Sequence, residues 1–456
     1  MVRKSITFRL SAIHLGVAAC LVTAASTPVW ADATEELRAE LAAQRQRLEM
    51  LEKKLEAATK EAADAKKLAQ SAPAKATGGE KSSSGGLADS VTIYGIADAG
   101  VEIGRYGQGT KTRVQSGLGS ASRLGFKGER SFGDDVSAYF QLEAGVSIDN
   151  GQNTGHSSNI SNPGQGSMSS SAPNTTGVAI FSRNTFVGLK SGIGDIRFGR
   201  DYVPIYSITS PSDPFTIGGA TAFRLWSSAA ATRFDNGIYY TTPKFGGIQA
   251  NLAYSAGMEN NSRADVGISG STNSVGPEDE GKGFSGALSY KDGPLFAGLG
   301  MMQFMRQGNV VAPATNEVKR KSWNLAASYD LKFVKFYGHF LAGKDTQAGK
   351  ATSMDRRVYW LGASAPFGGK HVARFVYGHL DDRMPTNRDS NHFGLGYEYQ
   401  LDKMTDLYAY YARVSNKNGG KNSLCAGGTC QGYDGDTNLP ADFTPQSLMF
   451  GARYRF

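Results

Sequence analysis

The sequence predicts an all-β transmembrane barrel of sixteen antiparallel strands, preceded by an N-terminal α-helical coiled coil. Three observations predict it: apolar residues alternate with period two from residue 91 to the last residue, the links between alternating segments are short and long by turns, and no apolar run after residue 31 is long enough for a membrane helix. A chain that crosses a membrane without such a helix must close its strands into a barrel, because hydrocarbon offers no partner for free backbone N–H and C=O groups.

At the N-terminus, Arg3, Lys4 and Arg9 precede an apolar stretch from about Leu10 to Val22, and Val29-Trp30-Ala31 offers a small-residue cleavage site. Residues 1–31 therefore read as a secretory signal. The alternative is a lipoprotein site at Val17-Ala18-Ala19-Cys20, which would retain an acylated Cys20. If Cys20 leaves, two cysteines remain, Cys425 and Cys430, in a Gly-rich stretch. In an exported chain they are expected to close a small disulfide loop. Two thiolates without a nearby His pair make a poor zinc site, so neither a metal nor a cofactor is expected.

Residues 32–70 are rich in Ala, Glu, Lys, Leu and Arg. Leu41, Leu48, Leu55, Ala62 and Ala69 fall at heptad position a, with Leu37, Gln44, Leu51, Ala58 and Ala65 at d. A lone helix would leave that narrow Leu seam exposed, so a self-associating coil of about 50 Å is expected, at about 1.5 Å per residue. Residues 71–90, with Gly78-Gly79, Ser82-Ser83-Ser84 and Gly85-Gly86, form a linker that cannot bury a core.

The barrel is expected over 91–456. Val91, Ile93, Gly95, Ala97, Ala99, Val101 and Ile103 alternate with Thr92, Tyr94, Ile96, Asp98, Gly100 and Glu102, giving one apolar and one mixed face. A soluble sandwich alternates too, so the links decide between the two. Strand segments begin near residues 91, 120, 135, 182, 195, 236, 248, 283, 295, 322, 334, 356, 371, 392, 405 and 447. Brief turns such as Ser191 to Gly194 and Lys291 to Pro294 alternate with links that mostly reach a dozen residues or more, the pattern of tight periplasmic turns and long outer loops. An even strand number returns both barrel ends to the periplasmic rim, so the helix is expected in the periplasm. The last segment sets Leu448, Phe450, Ala452, Tyr454 and the terminal Phe456 against a face carrying Arg453 and Arg455.

Several stretches resemble the trimeric general porins of Gram-negative bacteria, in particular the betaproteobacterial type. They are Val91-Thr92-Ile93-Tyr94-Gly95-Ile96-Ala97-Asp98, Ser122-Arg123-Leu124-Gly125-Phe126-Lys127-Gly128-Glu129, Ser182-Arg183-Asn184-Thr185-Phe186-Val187, Phe198-Gly199-Arg200 and Asp235 to Tyr240. The resemblance implies an outer-membrane homotrimer, embedded in lipid and lipopolysaccharide, that passes small hydrophilic solutes passively. It also implies a third loop folded into each channel, here from about Asp201 to Thr232, with a basic wall facing acidic groups on the loop. Carried over residue by residue, the wall would hold Arg123, Lys127, Arg183, Arg200 and Arg233, and the loop would offer chiefly Asp213. Phe456 matches the terminal aromatic that serves as the assembly signal. Tyr239 stands where relatives often have a basic residue, and relatives often carry more than one loop acid. The loop loses more charge than the wall, since Arg197, Arg224 and Arg233 remain to the wall, so a mild preference for anions is expected. Removing the three signal cations from the formal +8 leaves about +5, and the helix contributes none of that excess.

Rival readings are weaker. An arginine on a strand is commonly a solvated or interface charge, and Arg357, Arg374 and Arg453 are assigned only to the lumen wall or rim. Catalysis needs an ordered acid, base or nucleophile set, and the six histidines fall in no such spacing. A barrel-anchored tether or adhesin, with the coiled coil on peptidoglycan, would add to transport rather than replace it. Export makes nucleic acid an implausible partner.

Overall fold

The computed structural model describes residues 90–107, 109–133, 135–151, 153, 180–257, 282–307, 317–347, 352–424 and 439–456, with five positions between 42 and 53. Those five, Ala42, Gln46, Glu49, Met50 and Lys53, are helical. The rest of the expected coiled coil, the signal segment, the linker as far as residue 89, Cys425 and Cys430 lie outside the described residues.

Residues from Ser90 onward form β1 (Ser90–Arg105), β2 (Thr110–Ser116), β3 (Arg123–Ser131), β4 (Ser137–Gly145), β5 (Thr185–Ser191), β6 (Gly194–Tyr202), β7 (Arg233–Thr241) and β8 (Ile248–Ala256). They continue through β9 (Lys282–Asp292), β10 (Leu295–Gln307), β11 (Glu317–Asp330), β12 (Lys335–Thr346) and β13 (Asp355–Phe367). The series ends with β14 (His371–Asp382), β15 (Ser390–Gln400), β16 (Thr405–Asn416) and β17 (Gln446–Arg455). Each pairs antiparallel with its sequence neighbour from β3 to β17, and β1 closes the ring against β17, with Ile96 opposite Arg455.

Seventeen segments make sixteen barrel strands. β1 pairs along its first half with β3, Ile96 opposite Arg123, and along its second half with β2, Ala99 opposite Ser116. β2 and β3 are thus two halves of the second barrel strand, and Thr110–Ser116 corrects a sequence reading that placed no strand there. Few large apolar residues mark that half, and a Gly-rich bend separates it from the other. Gly117, at φ 74°, takes a conformation that favours glycine. Asp98 fixes the bend: its carbonyl accepts the Gly117 N–H at 2.7 Å and its carboxylate accepts N–H groups of Gly119 (3.1 Å) and Ser120 (2.8 Å) and the Tyr408 hydroxyl (2.7 Å).

The two faces differ as a barrel in lipid requires. Val91, Ile93, Val101 and Ile103 are exposed outward, whereas Asp98 and Glu102 are buried inside. Phe456 shares the outward face; its backbone exchanges hydrogen bonds with Gly95 at 2.9 and 3.1 Å, and its ring lies over that glycine, leaving no room for a Cβ.

Residues 203–232, between β6 and β7, fold into the barrel as helical turns at Pro204–Ser207, Ser210–Ser212 and Phe223–Ser227. Val203, Ile205, Leu225, Trp226 and Ala229 pack against inward side chains of the wall, including Phe304, Leu341, Val358 and Val376. The hydrophobic core therefore sits inside the barrel, between the loop and one side of the wall.

Candidate functional site

An inward loop carries backbone carbonyls into a dry interface, where each left unsatisfied would cost about 1–3 kcal/mol. The wall supplies the missing donors. Asn324 donates to Ile205 O (2.9 Å), Trp360 Nε1 to Ser212 O (2.8 Å), Arg320 to Ser228 O (3.1 Å) and Ser322 to Ala229 O (2.5 Å). Arg374 donates to Pro214 O, and His392 Nε2 lies 2.8 Å from Ala220 O. These residues come from β11, β13, β14 and β15, so the loop is fixed to that side. On the other side it approaches the bend of the second strand backbone to backbone: a Cβ on Gly218 would lie 1.9 Å from Gly119 O.

Beside the loop's first turn stands a basic cluster. Arg183 donates to Glu143 at 2.5 Å, both nearly buried, and to the Tyr202 hydroxyl at 2.8 Å. Arg233 donates to Asn184 Oδ1 at 3.2 Å, with its guanidinium 4.0 Å from the Tyr202 ring centroid. Arg123, on the inward face of β3, donates to Ala121 O at 3.0 Å and lies within electrostatic reach of Arg183 and Glu143. Among the described residues neither Arg123 nor Arg233 has a carboxylate within ion-pair distance; Glu143 is taken up by Arg183, and Asp201, within electrostatic reach of Arg233, is taken up by Arg197. Tyr202 stacks on Tyr206 at 4.6 Å, which extends the cluster onto the loop.

The loop's own charges are few: between Val203 and Thr232 only Asp213 and Arg224 are ionisable at neutral pH. Asp213 was expected to oppose the basic wall, but the structure turns it into the loop. Its carboxylate is 2% exposed and accepts the N–H groups of Phe215 (3.0 Å) and Ile217 (2.9 Å) and the Thr221 hydroxyl. Burial pushes its carboxyl up from the ordinary range, against the pull of those donors. Ser207 and Thr216 are exposed on the loop, with Tyr206, Ser210, Pro211, Arg224 and Ser227 half-buried; none is acidic.

The remaining expected residues are placed differently from one another. Lys127 is exposed on the inward face of β3, its Nζ 5.4 Å from the Tyr94 ring centroid. Arg200 shares the parity of the outward Phe198, donates to Ser182 O at 2.8 Å and pairs with Asp235, outside the Tyr202 stack. Arg197 is paired with Asp201 at 2.7 Å and is close to Asp195. Arg374 and Arg453 face inward and share Glu398, whereas Arg357, near the start of β13, is exposed with the parity of the outward Tyr359 and Leu361, so of lumen wall and rim it fits only the rim.

Sequence reasoning missed Asn184, Tyr202, the part played by Tyr239 and the partner of Glu143. The Tyr239 hydroxyl lies 2.9 Å from the carbonyls of both Asp201 and Phe234, tying together the points where the loop leaves and rejoins the wall. Only the pairing of β6 with β7 brings these residues together; the shared inward parity of Asp201 and Tyr239 was the one signal available.

Comparison with known proteins agrees with this geometry. The family model described as Gram-negative porin matches residues 63–419. An outer membrane porin protein 32 of Delftia acidovorans is 29% identical over 80% of this chain and 94% of its own. An outer membrane porin protein of Bordetella pertussis is 28% identical over 72% and 89%. Among solved structures, an anion-selective porin from Comamonas acidovorans superposes with a TM-score of 0.61 at 26% identity, covering 80% of this chain and 99% of that one. A sixteen-strand barrel narrowed from inside by a loop, with this match along most of its length, identifies the chain as a member of the Gram-negative porin family.

Proposed function

We propose that this porin is a trimeric diffusion channel of the outer membrane whose constriction favours small anions over cations. Family membership makes the chain a channel and not an enzyme. One observation carries the preference: in the basic cluster of Arg123, Arg183 and Arg233 only Arg183 is directly paired with a carboxylate, and the facing loop offers water no acid. A permeant anion gains from such a field, and a cation is disfavoured by the same amount. The anion selectivity named for the similar Comamonas acidovorans porin supports the reading. Lys127 extends the positive wall toward the periplasmic side, Phe456 serves as the assembly signal, and Cys425 and Cys430 close a disulfide in an outer loop. The N-terminal coiled coil is assigned to the periplasm.

The test is reversal potential across a planar bilayer holding the purified full chain under a KCl gradient. Conductance in three equal steps with chloride preferred is the expected result. A cation-selective pore would overturn the electrostatic reading.

A further inference from the structure

One buried carboxylate stands behind the place where the inner loop meets the bend of the second barrel strand, and it bonds to neither directly. Glu398, on the inward face of β15 and 4% exposed, accepts from Arg374 at 2.8 Å, from Arg453 at 3.4 Å and from the Tyr410 hydroxyl. Arg374, on β14, donates with its other Nη to Pro214 O of the loop. Arg453, on β17, turns its Nη1 to the bend, 3.3 Å from Gly119 O and 2.8 Å from Ser120 Oγ. Arg453 also has Asp406 at 2.6 Å as a second acid. Among the described residues Arg374 has no carboxylate but Glu398 within ion-pair distance, and its Nε is buried without an acceptor.

The two carbonyls that these guanidiniums hold flank the contact of Gly218 with Gly119, where the loop and the bend touch backbone to backbone. The tyrosine that donates to Glu398 packs the same part of the loop. Its ring meets Phe215 edge-on at 5.5 Å, and a Cβ on Gly219 would lie 2.4 Å from it. Tyr410 in turn stacks on Tyr408 at 4.7 Å, and the Tyr408 hydroxyl donates to Asp98, the residue that accepts the N–H groups of Gly119 and Ser120. Ties from Pro214 and Phe215 on the loop, and from Gly119 and Ser120 on the bend, thus converge on one acid. A guanidinium as enclosed as that of Arg374 holds its place only while a carboxylate meets it, because an unpaired buried charge is strongly destabilising.

We propose that Glu398 is a positioning residue of the constriction: through Arg374 and Arg453 it holds the middle of the inner loop and the bend of the second strand at one separation. It sets the width of the channel without meeting the permeating solute. The role rests on the chain being an open channel and is independent of the anion preference.

The test is single-channel recording of the purified full-length protein in planar bilayers at 1 M KCl, where a screening length of about 3 Å removes most of the direct effect of a changed wall charge. Stranding one member of a buried ion pair shifts the balance between seated and displaced loop by on the order of a hundredfold or more. Glu398→Gln should therefore show a second, higher conductance level, occupied about a hundredfold more than in the parent. It should also admit larger neutral sugars in liposome swelling, a readout that wall charge does not move. Arg374→Met should do the same. A direct electrostatic role would shift the two variants in opposite directions, since one loses a negative and the other a positive charge, whereas a positioning role shifts them together. In Glu398→Gln/Arg374→Met the rise should be no larger than in either single change, because both break one tie. Tyr410→Phe deletes only the hydroxyl and keeps the ring on Phe215; it should give a smaller rise in the same direction, and it carries the test if the charge variants fail to assemble. Opposite shifts or additive rises in the charge variants would overturn the role. So would the parent's single level and sugar cut-off in Glu398→Gln and Tyr410→Phe, even with a lowered unfolding temperature, which would leave Glu398 a merely structural group. A parent without conductance would instead sink the porin reading, and this role with it.

Discussion

Arg123→Gln separates the electrostatic account of selectivity from a steric one. Arg123 is one of two cluster guanidiniums without a carboxylate, and its main hydrogen bond is to a backbone carbonyl nearby in sequence, so a glutamine leaves the wall standing. A unit charge about 6 Å from a permeating ion contributes about 0.7 kcal/mol in water, and screening at 0.1 M salt cuts this to about 0.4 kcal/mol. That is about twofold for chloride and about twofold the other way for potassium, so the permeability ratio should fall about three- to fourfold. Reversal potential at a mean of 0.1 M KCl reads this directly. At 1 M KCl, where the screening length is about 3 Å, the difference between variant and parent should nearly vanish. Arg183→Gln is the poorer probe, because it strands Glu143 inside the wall at a cost of about 3–5 kcal/mol. An unchanged ratio for Arg123→Gln at low salt, or an equal shift at both salts, would refute the reasoning.

Three other outcomes are expected. Asp213→Asn places an amide NH2 against backbone N–H donors, so it should loosen the inner loop and raise single-channel conductance and noise; a pure gain in anion preference would instead make Asp213 a pore charge after all. Gly218→Ala forces the loop away from the Gly119 carbonyl and should raise conductance without altering the selectivity ratio by more than about twofold. In the turn before β16, N–H groups of Met404 and Thr405 at 2.7 Å hold the Asp402 carboxyl below its usual range. That carboxylate stabilises the fold at pH above its unfolded pKa of about 3.9 and ceases to as pH falls through the lower folded value. Asp402→Asn should therefore lower the unfolding temperature at pH 7, with the gap closing toward pH 2 in heat-modifiability gels.

The barrel was legible because its signals are local. Alternation and the short turns place fifteen strand starts within about three residues and that of β11 within five, and the inward parity of Arg123 and Lys127 follows from Leu124 and Phe126 on the same strand. The broken second strand was not legible: the alternation Thr110 to Ser116 has Val114 as its one aliphatic side chain, and the bend depends on Asp98 reaching across from β1. Asp213, placed by resemblance as the loop's acid, had no strand parity to say which way it faces. Its nearest donors are two N–H groups and a hydroxyl within eight positions along the chain, which a composition reading counts as an exposed acid. The pairing of Glu143 with Arg183, 40 residues away, was out of reach as well, since it needs the ladder of β4 on β5.

Net charge alone would not decide the selectivity, because most inward charges neutralise one another or hold structure. Arg320 with Asp345, Arg374 and Arg453 with Glu398, and Arg453 and Arg455 with Asp406 line the side of the barrel to which the loop is fastened. Arg320 and Arg374 also hold loop carbonyls, which fixes their side chains away from the open water. The field at the constriction is left to the few charges outside those networks: Arg123, Arg233 and Lys127 on the wall, with no exposed acid on the loop. Adding a carboxylate to the loop's exposed side is therefore the sharpest reversal available. Ser207→Asp places one negative charge on the exposed face of the loop's first turn, next to Tyr206 of the stack. By the same arithmetic as for Arg123 it should lower the chloride-to-potassium ratio about three- to fourfold while leaving every loop tie to the wall in place. Combined with Arg123→Gln the two changes should multiply, to about tenfold; a combined effect no larger than either alone would mean that the ions do not pass between these two surfaces.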